Sequence, residues 1–287
     1  MIARASREQI PELRALWHNV FGDGPAFLDP FFARVFVPDN TLVWTENGRV
    51  VSALYIIPYT IPNKTETLRA AYLYALATEP AWRGRKIMSR LIEASFDLCA
   101  ARGYALSMLV PAKDSLFGFY RVFGFEELFE RVRIEKTHEE IAALGAGCEP
   151  VRLVTASAAR IWWQYRQSPF CADGCVTLSA EQNAFFIDTL RSEGGQALLF
   201  TVDNTPYYAL LACKEGELSV YESDADARAL GPLCAALCAH YEFQRATFFQ
   251  PLCFGKVETR RGRRPFAMAK FLRDVKIENP FIGRVLQ

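Results

Sequence analysis

The chain has 287 residues, enough for one large core or two of ordinary size, and two is the expectation at this length. With 51% apolar and 23% charged residues it has the composition of a globular protein, which excludes a fibrous or intrinsically disordered chain. A net charge of +1 removes any general electrostatic demand for nucleic acid or an acidic membrane as partner.

In chain order, IARA reads as a short strand and Ser6 to about Val20 as a helix. Ser6 and Gln9 have capping-box spacing, and Ile10, Leu13, Leu16, Trp17 and Val20 recur at helical intervals. FGDGPAF breaks the pattern, and AFLDPFFARVF predicts a second short helix with Pro30 limiting its first turn. TLVWTE and RVVSALYIIPYTI are strand-like runs joined by Asn47-Gly48, a strong hairpin signal. Residues 67–78 complete an antiparallel meander. A helix is expected from Ile87 to Arg102 with Gly103 after its end, then a buried strand, ALSMLVP. A short helix is predicted over Ser115–Phe123, ending at Gly124, and a closing pair of strands over 125–135. The order β-α-α-β-β-β-α-β-α-β describes a mixed α/β (α+β) unit of residues 1–136, and not a doubly wound sheet, since no crossover helices separate the early strands.

A linker is expected near 137–150, and a second domain over 151–287. Its helix-like runs lie at 156–167 and 180–193. A three-strand meander follows, with turns at Asp203-Asn204 and Glu215-Gly216. A helix over about 231–241 should start at Gly231 or Pro232, and ATFFQP and PFAMAKFL read as closing strands. Meander, helix and strands thus repeat the order of the first half. Where the first half has a basic glycine turn before its helix, the second has YESDADA, which is acidic, would repel a phosphate and reads as a surface loop. RRGRR at 260–264 suits a solvated hairpin tip better than a nucleic-acid patch.

The eight cysteines form no secretory framework, and reduced buried thiols in a cytoplasmic protein are expected. Cys171 and Cys175 lack a second ligand pair, and His18, His138 and His240 stand apart in the sequence, so no metal is expected. No run reaches the roughly 18 apolar residues that would span a bilayer, and the first residues are too polar for a signal peptide.

The chemistry concentrates in EPAWRGRKIMSRLIE, residues 79–93. Arg83, Arg85 and Lys86 surround Gly84 where a helix begins, and the first backbone N–H groups of a helix favour an anion. Neither GxxxxGK[ST] nor GxGxxG occurs there, so a Walker loop and a dinucleotide fingerprint are excluded. A solvated basic loop and an anion cradle both remain open. Some 30 residues on stands LFGFYRVFGF, in which Tyr120 suits an aromatic core or a reacting centre equally.

Together the two stretches resemble the GCN5-related N-acetyltransferase (GNAT) superfamily, over about residues 1–135. Its pyrophosphate loop follows R/Q-x-x-G-x-G/A at a helix start, matched here by Arg83, Lys86 and Met88. Lys86 and Met88 stand where that family usually has small residues. Its Tyr with Gly-Phe four residues on is matched by Tyr120 and Gly124-Phe125. VPAKDSLFGFYRVFGF followed by a degenerate second GNAT-like half is similar to the Eis-like tandem branch. The resemblance implies acetyl transfer from acetyl-CoA to a primary amine of a small molecule or peptide by direct attack. It further implies that Leu76, Ala77 and Thr78 pair with the pantetheine. Arg83, Gly84, Arg85, Lys86, Ile87, Met88 and Ser89 would hold the pyrophosphate, and Tyr120 would protonate the leaving thiolate. Glu46, Glu66 and Glu79 are undistinguished as bases, and the α-carboxylate of Gln287 is a further candidate, because the C-terminus enters the active site in Eis-like proteins. A non-catalytic acyl-CoA-binding or regulatory module is the alternative, and homo-oligomerisation is left open.

Overall fold

The computed structural model describes residues 1–64, 66–249 and 263–285, and the chain divides into two compact units. Met1–Phe129 and Phe266–Pro280 form the first, and Glu130–Pro265 with Phe281–Val285 the second. The chain opens with β1 (Ile2–Arg4), α1 (Ile10–Phe21), α2 (Pro25–Arg34), β2 (Thr41–Glu46), β3 (Arg49–Asn63) and β4 (Glu66–Thr78). It continues with α3 (Ile87–Ala101), β5 (Leu106–Leu109), α4 (Ser115–Arg121) and β6 (Glu126–Val132). Then come β7 (Ile134–Thr137), α5 (His138–Leu144), β8 (Val154–Thr155), α6 (Ala158–Tyr165), β9 (Cys175–Val176) and α7 (Ala180–Ser192). The last elements are β10 (Gln196–Val202), β11 (Thr205–Lys214), β12 (Glu217–Ser223), α8 (Ala227–His240), β13 (Arg245–Phe248), β14 (Arg263–Phe271) and β15 (Phe281–Ile282).

The sheet of the first unit has the order β1-β2-β3-β4-β5-β14-β6. The β2–β3 turn holds Asn47 and Gly48 at φ 50° and 77°, the sign pair that matches the twist of a two-residue hairpin. Alternation along the strands supplies two apolar faces. Leu54, Ile56, Ala71 and Leu73 pack with Leu91, Ile92 and Cys99 of α3 and with Tyr120 and Phe125. On the opposite face, Trp17 of α1 lies 5.1 Å from Tyr55 and 4.7 Å from Phe31 of α2, ring centre to ring centre. The Gln9 side chain accepts from the Ser6 backbone N–H at 3.0 Å, and the turn Arg7–Gln9 is 3-10 before α1 proper begins.

The second unit has its own sheet, β7-β13-β12-β11-β10-β8. In both units an antiparallel meander leads through a helix to a strand parallel to the meander's last member: β4 with β5, and β12 with β13. The mixed α/β reading therefore stands, in two compact units.

Several local expectations are corrected. The strands foreseen at 125–135 separate: β6 joins the first sheet, whereas β7 pairs with β13. Residues 137–150 contain α5 rather than only a linker, started by Thr137, whose Oγ1 accepts from the Glu140 N–H. PFAMAKFL, assigned to the second half, pairs antiparallel with β5 through Met268–Phe271, because a buried parallel strand needs partners on both edges. The helix expected from Gly231 or Pro232 starts at Ala227, where Asp226 caps it, and both Pro232 and Pro30 lie inside their helices. YESDADA is no surface loop: Glu222, Asp224 and Ala225 are buried. Of RRGRR, residues 260–262 lie outside the described residues.

Candidate active site

The site grows from a defect in β4. Opposite the single residue Leu54 of β3 stand two residues, Ala75 and Leu76, since Ala53 pairs with Ala77 and Tyr55 with Tyr74. Ala75 carries φ 46°, a left-handed value uncommon without glycine, and the extra residue bends the strand. β5 is parallel to β4 only from Ala70 to Tyr72. Beyond the bulge the strands part. Leu76, Ala77 and Thr78 thus form the end of β4 that β5 does not cover.

That edge runs into the basic turn. Pro80–Trp82 form one 3-10 turn, and the Arg83 guanidinium folds back to donate from Nε to the Thr78 carbonyl at 3.1 Å. Gly84 has φ 77°, and an added Cβ would meet nothing within 4 Å, so the glycine serves backbone conformation rather than close packing. Lys86 is the N-cap of α3 with φ 58° and ψ 22°, and no side chain caps the helix. The N–H groups of the first turn are left for an external acceptor. A cavity of 270 Å³ opens here, lined by Thr78, Arg83, Gly84, Lys86, Ile87, Met88, Ser89, Trp82 and Phe119. Seven of the residues foreseen for the cofactor meet at this cavity. Leu76, Ala77 and Arg85 do not line it. Trp82 and Phe119 do, and sequence reasoning missed them: one is adjacent to Arg83 and the other to Tyr120, but aromatic residues at these places carry no spacing signal of their own.

Tyr120 is 7% exposed, its ring 5.2 Å from Phe119 and 6.0 Å from Phe125. Burial pushes its phenol up to about 12, so it stays protonated throughout the neutral range. Among the carboxylates, Glu66 lies twelve residues up β4 from Thr78, about 40 Å at strand rise, and pairs with Arg273 at 2.5 Å. It is too far to serve the same site. Glu46 accepts from Trp44 Nε1 at 2.7 Å. Glu79 directly follows β4, half-buried, with Asn19 Nδ2 3.3 Å from its Oε1. Gln287 lies outside the described residues.

The equivalent place in the second unit is built differently. β12 also has an extra residue, Tyr221, beyond which β13 no longer pairs with it. Here the helix start is closed from within: both Asp226 carboxylate oxygens are used, Oδ1 accepting from the N–H groups of Arg228 and Ala229 and Oδ2 binding the Arg228 guanidinium. Just before it, Glu222 pairs with Arg284 at 2.8 Å and accepts from the Tyr208 hydroxyl at 2.6 Å. Asp224 receives Gln164 Nε2 at 2.8 Å and the Tyr208 N–H at 2.7 Å. Among the described residues no group of three His, Cys, Asp or Glu could hold a metal ion, and no helix is long and apolar enough to cross a membrane.

Residues 1–128, which hold this bulged strand, its uncovered end and the bare helix start, match the model of the acetyltransferase (GNAT) domain. Residues 1–128 thus carry a GNAT domain, and the protein is an acyltransferase. Its fold is similar to that of a probable N-acyltransferase from Enterococcus faecalis V583 (TM-score 0.78, 16% identity, covering 95% of this chain and 72% of the other). A GCN5-related N-acetyltransferase from Kribbella flavida follows at TM-score 0.73 and 17% identity, over 94% of this chain and 70% of that one. Eis1 from Mycobacterium abscessus matches at TM-score 0.71 and 13% identity, over 95% and 74% respectively, so the Eis-like likeness spans both units as a likeness of fold. No curated protein matches the sequence.

Proposed function

We propose that the protein transfers an acetyl group from acetyl-CoA to a primary amine of a small molecule or peptide by direct attack. The observation that carries this reading is the uncovered end of β4 running straight into the uncapped, basic start of α3. Backbone amides at Leu76–Thr78 extend the sheet toward the pantetheine, and the N–H groups of residues 84–89 with Arg83 and Lys86 hold the diphosphate. Tyr120 keeps its proton until the sulfur departs and then donates it from Oη. With Glu66 too distant, Glu46, Glu79 and the α-carboxylate of Gln287 are the candidate bases. The second unit is read as a degenerate copy whose role is structural. The seven cysteines among the described residues are free thiols, which suits a reducing, cytoplasmic compartment.

The test is thiol release from acetyl-CoA against a panel of amines. Tyr120→Phe is expected to lower kcat by about 100-fold while acetyl-CoA affinity stays within about twofold. Equal losses in both would make Tyr120 a packing residue only. Extension of the chain by one residue after Gln287 separates the bases: an unchanged kcat leaves Glu79 and Glu46, and the change to Gln at one of them must then abolish turnover.

A further inference from the structure

Three cations, Arg83, Arg85 and Lys86, stand at the α3 start. Arg83 and Lys86 line the cavity, whereas Arg85 does not. Its guanidinium carbon instead lies 4.5 Å from the centre of the Trp82 ring. Trp82 itself is half-buried and lines the cavity, while Arg85 is exposed. Trp82 therefore belongs to the diphosphate cavity and also carries a guanidinium that stands outside it. Stacking on an aromatic face holds an arginine in place while leaving the edge of its N–H fork available to an anion. One turn into α3, Arg90 sits over Trp44 at 5.6 Å in a similar way, on a different tryptophan.

We propose that Trp82 and Arg85 form a second anion subsite, which takes the 3′-phosphate of the donor and makes the enzyme selective for a 3′-phosphorylated nucleotide carrier. This rests on the acetyl-CoA reading above. The charges divide accordingly: Arg83 and Lys86 face the diphosphate, and Arg85 meets a phosphate monoester, which carries about two negative charges near neutral pH. The pre-stacked guanidinium loses less side-chain freedom on binding than a free arginine would, so the subsite needs Trp82 as well as Arg85.

The experiment is calorimetric titration of the full-length protein with CoA and with 3′-dephospho-CoA, which needs no acceptor. Wild type is expected to bind CoA about tenfold more tightly than dephospho-CoA, the scale of one charge-assisted contact. Arg85→Ala should bring the two affinities to within about twofold by weakening CoA alone, and Trp82→Leu should reduce the ratio in the same direction. Arg90→Ala removes an equal charge from the first turns of α3, close to Arg85 in sequence, and should leave the ratio at its wild-type value. Equal affinities in wild type overturn the subsite, as does a parallel loss for both ligands in Arg85→Ala or a collapsed ratio in Arg90→Ala. Failure of wild type to bind either ligand removes the donor reading itself, and the subsite with it.

Discussion

Lys86 shows how a single residue can depart from its family's pattern and keep its geometry. The family's small residue at this position suits a left-handed backbone, and Lys86 holds that conformation at φ 58° and ψ 22° despite its side chain. A strained residue that also lines the cavity at the α3 start is retained at a cost in stability. Lys86→Gly is therefore expected to stabilise the fold by about 1 kcal/mol in urea denaturation while weakening CoA binding, since the ammonium is lost. A variant that is less stable than wild type would show that the lysine side chain packs usefully and that the strain is small. Arg83, Lys86, Met88 and Tyr120 were legible as candidates from motif spacing. The bulge at Ala75 was not, because alanine carries no local signal for positive φ and the extra residue is defined only against β3.

At the scale of elements, β14 separates local from non-local information. Its alternation was readable, but its place between β5 and β6 was not, since the partners lie more than a hundred residues away in sequence. Met268, fully buried on β14, packs with Leu109, Tyr120 and Phe125. Met268→Ala should cost about 2–4 kcal/mol, and hydrogen exchange should accelerate in β5 and β6 but not in β10–β12. Equal acceleration in both sheets would mean that the strand supports both units. The end of β12 yields a pH dependence. Burial, ahead of every other influence, raises the Asp224 carboxyl from 3.8 to about 6, so the folded state binds this proton more tightly than the unfolded one. Its contribution to stability is then greatest at low pH, declines as pH rises from about 4 to about 6, and is flat above. Urea midpoints across that range should fall by the equivalent of about 2–3 kcal/mol from this group, and Asp224→Asn should flatten the slope. An unchanged slope in the variant would assign the titration elsewhere.

For the whole molecule, repetition of one architecture does not mean repetition of one chemistry. The first helix start is bare and basic, the second closed by the Asp226 carboxylate. Calorimetry should accordingly find one CoA per chain, and Asp226→Ala should not create a second site, because Glu222 and Asp224 still stand before that helix. Two sites in wild type would refute the contrast. The sequence by itself determined the element order of residues 1–136, most of the turns, the GNAT resemblance and the basic loop, all of which rest on periodicity, glycine placement and charge within a few tens of residues. Only the tertiary structure decided that β7 and β14 take their places in different sheets and that YESDADA is buried. The same holds for the parting of β4 from β5 beside the cavity. Strand pairing, burial of a charge and the opening of an edge depend on which distant partner satisfies each hydrogen bond, and no local pattern encodes that choice.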